Sequence, residues 1–284
     1  MTRCHIGPTR VGNALARWAQ RRYAGAWSVN GEQDIITQHY DPALRMSVNP
    51  NHHIGGAIYW RGSYARRILN CVGQFLRPDM VFADIGANQG EVTVFAARRL
   101  MQGTAIAFEP TTENFHRLLA NVQLNNLTNV VALDFCLGSE TGEVELFAPG
   151  SCSHHHRYGW NEGMPSMYAP GPQATTVARG AVRRLDDVLP TLEVGGLDVV
   201  KVDVEGAELH VLRGGEDSIR RYRPVIVVEI NSETYRAAGY EPFDVCAYLQ
   251  SLGYDGFELN RAGNRGRRIG QSVSDQCDAV WLPR

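Results

Sequence analysis

Three short runs hold the residues whose types and spacing could do chemistry. In the first, Asp84-Ile-Gly-Ala-Asn-Gln-Gly90 follows the apolar run Met80–Ile85 and opens a helical stretch. Gly86 and Gly90 permit a tight turn and close backbone approach to a ligand. A strand, turn and helix in that order lie at the C-terminal edge of a parallel sheet, where open α/β folds bind ligands. A dinucleotide site would use G-x-G-x-x-G and seat a pyrophosphate on the helix N-terminus. Here the spacing is Gly86-x-x-x-Gly90, and the Asp84 carboxylate at the strand tip would repel a pyrophosphate. It suits a ligand carrying an ammonium and a sulfonium, which is what S-adenosyl-L-methionine presents. In the second run Glu109 ends the next strand, where an acid can grip a ribose diol. Asp134, ending the third strand, is placed to take an adenine amino group, with Phe135 against the ring.

The third run is Lys201-Val-Asp-Val-Glu205, with Glu229 on the strand that follows. Strand alternation puts Lys201 and Asp203 on one side, and Glu205 starts the next turn. Three carboxylates and the only lysine of the chain thus converge near the glycine turn. Buried without partners they would be costly, so they must pair, protonate or bind something. In one reading Asp203 or Glu229 accepts a hydroxyl proton, and Lys201 steers the acids or is itself a base of depressed pKa. In another, Asp203 and Glu229, with Asn231 two residues on, hold a divalent metal such as Mg²⁺; the metal is left unknown. The plain alternative is a structural Lys201–carboxylate pair.

The elements that must position these groups alternate. Apolar runs at 80–85, 104–109, 130–135, 197–203 and 225–230 are separated by helical stretches at 90–101, 111–125 and 208–219. Runs buried on both faces and alternating with helices indicate a mainly parallel sheet in an α/β sandwich. A helix over 242–253 follows, and 257–259 with 279–282 closes the sheet as an antiparallel pair. Upstream, 33–60 reads as short strands and turns, including Ile54-Gly55-Gly56, and 61–76 as a helix. Residues 1–76 are therefore expected to be an extension packed on a core domain of 77–284. Arg10, Arg17, Arg21 and Arg22 lie in a basic amphipathic stretch over 10–24. It is expected to pack on the domain or on a second copy of the chain, with contact to an anionic membrane surface as the sharper alternative. Residues 149–175, rich in Gly, Pro, Tyr and Trp, interrupt the rhythm and read as a lid or substrate loop.

These residues resemble the FkbM-type family of S-adenosylmethionine-dependent methyltransferases over roughly 40–260. The resemblance is carried by Asp84–Gly90 with Ala107-Phe-Glu-Pro110, by Leu185–Leu189 with Val200-Lys-Val-Asp-Val-Glu-Gly-Ala-Glu208 and Val211–Gly214, and by Pro224–Ile230. It implies a Rossmann-like class I methyltransferase sandwich and S-adenosyl-L-methionine as methyl donor. The candidate cofactor contacts are then Asp84, Gly86, Asn88, Gly90, Glu109, Pro110, Asp134 and Phe135, and the candidate catalytic residues Lys201, Asp203, Glu205 and Glu229. Characterised members O-methylate natural products, sugars or glycolipids, so a small-molecule hydroxyl is the expected acceptor.

The chain has 284 residues, net charge −2 and 20% charged residues, which argues against a nucleic-acid partner, whose binders are strongly basic. Asn49-Pro50-Asn51 also lacks the aromatic-ended motif of enzymes acting on flipped bases. An NAD-dependent oxidoreductase, the other enzyme class weighed, is opposed by the glycine spacing. No apolar run reaches the roughly 20 residues of a membrane span, and no secretory signal is evident. Six cysteines without a C-x-x-C pair read as reduced thiols in a cytoplasm. The near-exclusive use of arginine suggests a GC-rich bacterial gene. His154-His155-His156 beside Cys152 could hold zinc, but adjacent side chains diverge and no second ligand cluster follows, so a loop histidine near substrate is the better reading. His53 and Tyr64 are further acceptor-side candidates.

Overall fold

A computed structural model describes residues 34–148, 165–169 and 174–284, together with the backbone of 155–156 and 159–160. The expected basic helix at 10–24, Cys4, Cys152 and the side chains of the histidine run lie outside the described residues. Those up to Tyr64 form one compact unit, and those from Ala65 onward, apart from the 151–163 stretch, form a second.

In the first unit β1 (Ile35–Gln38) pairs antiparallel with β2 (Arg45–Val48), and α1 spans His53–Arg61. The stretch Ile54-Gly55-Gly56, expected among short strands and turns, is thus the start of a helix. Glycine pairs are poor helix formers, but a Cβ at Gly55 would lie 2.2 Å from the Asn49 carbonyl oxygen. Close packing against that turn outweighs local propensity. α1 ends at Gly62, whose φ of +80° closes the helix with a bond from its N–H to Ile58 O.

The second unit begins with α2 (Arg66–Phe75) and then alternates as expected. β3 (Val81–Ile85), α3 (Glu91–Ala97), β4 (Thr104–Phe108), α4 (Thr112–Leu124) and β5 (Val130–Leu133) come first. A three-stranded sheet follows: β6 (Cys136–Leu137), β7 (Gly142–Ala148) and β8 (Thr175–Arg183), in the order β6-β8-β7, with β8 parallel to β6 and antiparallel to β7. After the short α5 (Leu185–Val188), the alternation resumes with β9 (Val199–Val202), α6 (Glu208–Gly214), α7 (Glu216–Tyr222) and β10 (Val225–Asn231). The chain closes with α8 (Ser232–Ala238), α9 (Pro242–Ser251), β11 (Tyr254–Leu259), β12 (Arg265–Arg268) and β13 (Gln276–Pro283).

The main sheet has eight strands in the order β12-β11-β13-β10-β9-β3-β4-β5. The five strands from β10 to β5 are mutually parallel, and β13 inserts antiparallel between β10 and β11. Every residue of β3 and of β9 is buried, as strands covered on both faces require. The core runs through Ile85, Phe108, Val202, Val228, Tyr235 and Trp281. This is a Rossmann-like α/β sandwich. The reversal of strand order between β3 and β9 puts the β3 and β9 tips side by side, with Lys201 in register with Asp84. That is the switch point at which such sheets bind ligands.

Candidate active site

The β3–α3 turn is built from left-handed backbone. Gly86, Asn88 and Gly90 have φ of +79°, +50° and +84°. A Cβ on Gly86 would lie 1.8 Å from the Asp203 carbonyl oxygen, so only glycine lets the two strand tips approach. The N–H groups of Gly86 and Ala87 both donate to Phe108 O, at 3.0 and 2.9 Å, tying the turn to β4.

Lys201 lies under this turn. Its ammonium donates to Gly86 O at 2.6 Å and pairs with Asp84 Oδ1 at 3.3 Å and Asp203 Oδ2 at 3.4 Å. Desolvation favours the neutral amine, yet Asp203 and Asp84 together raise its pKa above the ordinary lysine value. Lys201 therefore stays charged, and the depressed-pKa base reading falls. Asp84 lies beside it. It is fully buried, accepts the Thr93 hydroxyl at 2.6 Å on Oδ2 and faces Lys201 with Oδ1. It supports the turn from beneath. Burial pushes its pKa up, against the opposing pull of Lys201.

Glu109 is also buried. Oε2 accepts the Asn88 N–H at 2.8 Å, and Oε1 accepts the Thr111 N–H at 3.0 Å and the Thr111 hydroxyl. Of roughly four lone-pair sites on a carboxylate, three are taken, so Glu109 can accept one ribose hydroxyl rather than clasp two. Its carboxyl is raised by burial. Pro110 is half-buried at the entry to α4, and Asp134 is exposed just past β5. Phe135 lies edge-on to Phe108 at 5.9 Å, with the Arg183 guanidinium 5.1 Å over its ring. That guanidinium covers one of the two faces an adenine could use.

The turn after β9 carries the acids. Asp203 is 40% exposed at its side chain. Glu205 has φ +51° and Gly206 φ +105°. Glu208, not singled out by its type alone, accepts the Val204 N–H at 2.8 Å and the Gly206 N–H at 3.0 Å and so clamps the turn. Two carbonyls are fixed from outside: Glu205 O by the Ser166 hydroxyl at 2.6 Å, and Gly206 O by the Tyr240 hydroxyl at 2.8 Å. Burial, then Asp203 and Glu208, raise the Glu205 carboxyl to about 8; burial also raises Glu208, to about 7. Glu229 is raised well above the carboxylate range by burial and by Asp203 and Glu205. One oxygen each of Asp203, Glu205 and Glu229 lies within 4.8 Å of the others, a set that could hold a hard divalent cation. Asn231 Oδ1 caps α8, accepting the Glu233 N–H at 3.1 Å. His53 and Tyr64 pack edge to face at 5.6 Å within the first unit.

The order of these parts can be compared with known proteins. The Methyltransferase FkbM domain profile matches residues 84–255, more than half of the chain. The chain belongs to the FkbM methyltransferase family. It is 33% identical over 164 residues to Methyltransferase 1 of Beauveria bassiana, covering 54% of this chain and 65% of that one. It is 30% identical over 166 residues to the 31-O-demethyl-FK506 methyltransferase FkbM of Streptomyces tacrolimicus, covering 51% and 63%. The chain thus spans just under two thirds of the length of either relative. A methyltransferase FkbM structure from Methylobacillus flagellatus KT overlaps with TM-score 0.48 at 15% identity, over 73% of this chain and 44% of that one. The FkbM match starts at Asp84 and takes in Glu109, Lys201, Asp203, Glu205, Glu208 and Glu229.

Proposed function

We propose that the chain transfers the methyl group of S-adenosyl-L-methionine to a hydroxyl oxygen of a small molecule. The observation that carries this reading is a shortage of positive charge. Five carboxyl groups stand at the edge beside the left-handed glycine turn with one ammonium among them: Lys201 pairs with Asp84 and Asp203, and burial raises Glu205, Glu208 and Glu229 so that they hold protons instead. A ligand bearing a sulfonium and an ammonium meets that need, and a pyrophosphate opposes it. When bound, S-adenosyl-L-methionine supplies an electrophilic methyl group.

The protein's own residues do the rest. Lys201 fixes the Gly86 carbonyl and Asp203 relative to each other, and positioning of this kind supplies much of the rate in bimolecular transfer. Asp203, paired with an ammonium and open to solvent, is the carboxylate set to receive the acceptor's hydroxyl proton. Glu205 and Glu229, held protonated by burial, limit repulsion around it. The 31-O-demethyl-FK506 relative and the Hexuronic acid methyltransferase AglP of Haloferax volcanii support a hydroxylated acceptor. A second reading, a divalent cation on Asp203, Glu205 and Glu229 that lowers the acceptor's pKa, is favoured by their 4.8 Å clustering and opposed by Lys201 3.4 Å from Asp203. No helix among the described residues is long and apolar enough to cross a membrane.

Thermal unfolding with candidate ligands tests the proposal. S-adenosylhomocysteine at saturation is expected to raise Tm, by linkage to the folded state, whereas NAD leaves it unchanged. The opposite ranking ends the methyl-donor reading.

A further inference from the structure

A second cation stands at the far end of the acid-rich edge. Glu229 in β10 lies directly opposite Asp278 in β13, so the two side chains share one face of the sheet. Asp278 is close enough to Asp203 and Lys201 for their charges to act on it, and it acts in turn on Glu229. The row of acids therefore runs on past Glu229 to Asp278. That carboxylate is 13% exposed and pairs with Arg67 Nε from the first turn of α2. Lys201 and Arg67 differ in access. The Lys201 side chain is 6% exposed and its ammonium is spent on Gly86 O, Asp84 and Asp203, whereas the Arg67 side chain is 43% exposed. The bond to Asp278 uses Nε, and a guanidinium carries four further N–H groups in a fork that matches a carboxylate or a phosphate.

The needs of α2 do not explain a cation there. The first turn of that helix holds Arg66 and Arg67 and no acid, the reverse of what the helix dipole favours. Two other bonds already hold α2 to the turn after β11: Asn70 Nδ2 donates to Ala262 O and Gln74 Nε2 to Gly263 O, both at 3.1 Å. The methyl donor is matched by the tips of β3, β4 and β5, which leaves the tips of β10 and β13 to the acceptor. Two strand spacings, roughly 10 Å, separate Asp203 after β9 from Asp278 in β13. We infer that Arg67 is an acceptor-binding residue, and that the acceptor carries an anionic group, carboxylate or phosphate, within roughly 10 Å of the hydroxyl it presents to Asp203. This inference rests on the methyl-donor reading and deepens it by naming the acceptor's charge.

Ligand-observed NMR titration of the full chain, saturated with S-adenosylhomocysteine, tests it with sorbitol, gluconate and sorbitol 6-phosphate. The three share a six-carbon polyol chain and differ at one end, which is neutral, a carboxylate or a phosphate. The wild type should bind at least one of the two anions about tenfold more tightly than sorbitol, and the better one names the source of the charge. Arg67→Gln should abolish that preference and Arg67→Lys should keep part of it, while both bind S-adenosylhomocysteine as the wild type does. A purely structural Arg67 would lower Tm and leave the preference intact. Arg67→Gln leaves Asp278 buried without its cation, so the double variant Arg67→Gln/Asp278→Asn repeats the test if the single one does not fold. Equal binding of all three probes, no binding of any, a preference that survives Arg67→Gln, or one lost only together with S-adenosylhomocysteine binding overturns the inference and leaves the methyl-donor reading standing. If S-adenosylhomocysteine itself does not bind the wild type, that reading fails and this one with it.

Discussion

The ammonium of Lys201 meets three oxygens from three places: the carbonyl after β3, the Asp84 carboxylate in β3, and the Asp203 carboxylate after β9. A compact charge with three rotatable donors suits that arrangement, and the planar fork of arginine does not. This accounts physically for one lysine in a chain that otherwise uses arginine. Removing the ammonium leaves Asp84 buried with only Thr93 for company. Lys201→Met is therefore expected to cost about 3–5 kcal/mol and to lower Tm on the order of 10 °C, read by thermal denaturation. An unchanged Tm would mean that Asp84 is protonated in the folded state and needs no cation. At this scale the face a strand residue takes was legible and its contacts were not. Strand alternation put Lys201 and Asp203 on one side, and that held. It could not say that Asp84 and Glu109 spend their oxygens on Thr93, Thr111 and the Asn88 N–H, because those bonds depend on which hydroxyl or amide the turn brings back.

Two turns, rather than any helix, set the geometry of the edge. The first depends on Gly86, whose φ is +79° and whose added Cβ would meet the Asp203 carbonyl at 1.8 Å. Gly86→Ala must shift either the turn or the β9 tip. S-adenosylhomocysteine binding by calorimetry is expected to weaken at least about tenfold, with a stability loss of roughly 1–2 kcal/mol from the left-handed backbone alone. The second turn is held by Ser166, whose backbone bridges Phe147 while its hydroxyl donates to Glu205 O. The alternation of strands and helices from 80 to 135 and from 197 to 251 was legible because each run is apolar and bounded by turn residues. Three elements were not. The helix at 53–61 hides behind a Gly-Gly pair that exists for packing against Asn49. The expected helix at 208–219 is two helices parted at Gly215, next to Gly214, where a Cβ would meet Gly138 O at 1.9 Å. The central strand of the small sheet, Thr175–Arg183, has no buried residue and so no hydrophobic pattern to read.

Across the whole molecule the acid-rich edge ties stability to pH. In the folded chain Glu205 and Glu208 are raised from 4.5 to about 8 and about 7, and Asp84, Glu109, Glu229 and Asp278 move the same way. The folded state thus holds protons that the unfolded chain has already released. The contribution is complete below about pH 4.5 and is lost as pH rises through 7 and 8. His210 is displaced downward and works in the other direction, but only below its ordinary value of 6.5. Between pH 6.5 and 8.5, therefore, Tm is expected to fall, and Glu205→Gln should flatten the fall because an amide has no proton to lose. The same window separates the two chemical readings of the edge. A divalent cation on Asp203, Glu205 and Glu229 would bind their deprotonated forms and would replace the missing protons with charge. Excess Mg²⁺ should then restore most of the Tm lost at pH 8.5 in the wild type and none in Asp203→Asn. If Mg²⁺ leaves the wild-type profile unchanged, Glu205 and Glu229 act as proton holders around Asp203, and the hydroxyl loses its proton without metal assistance.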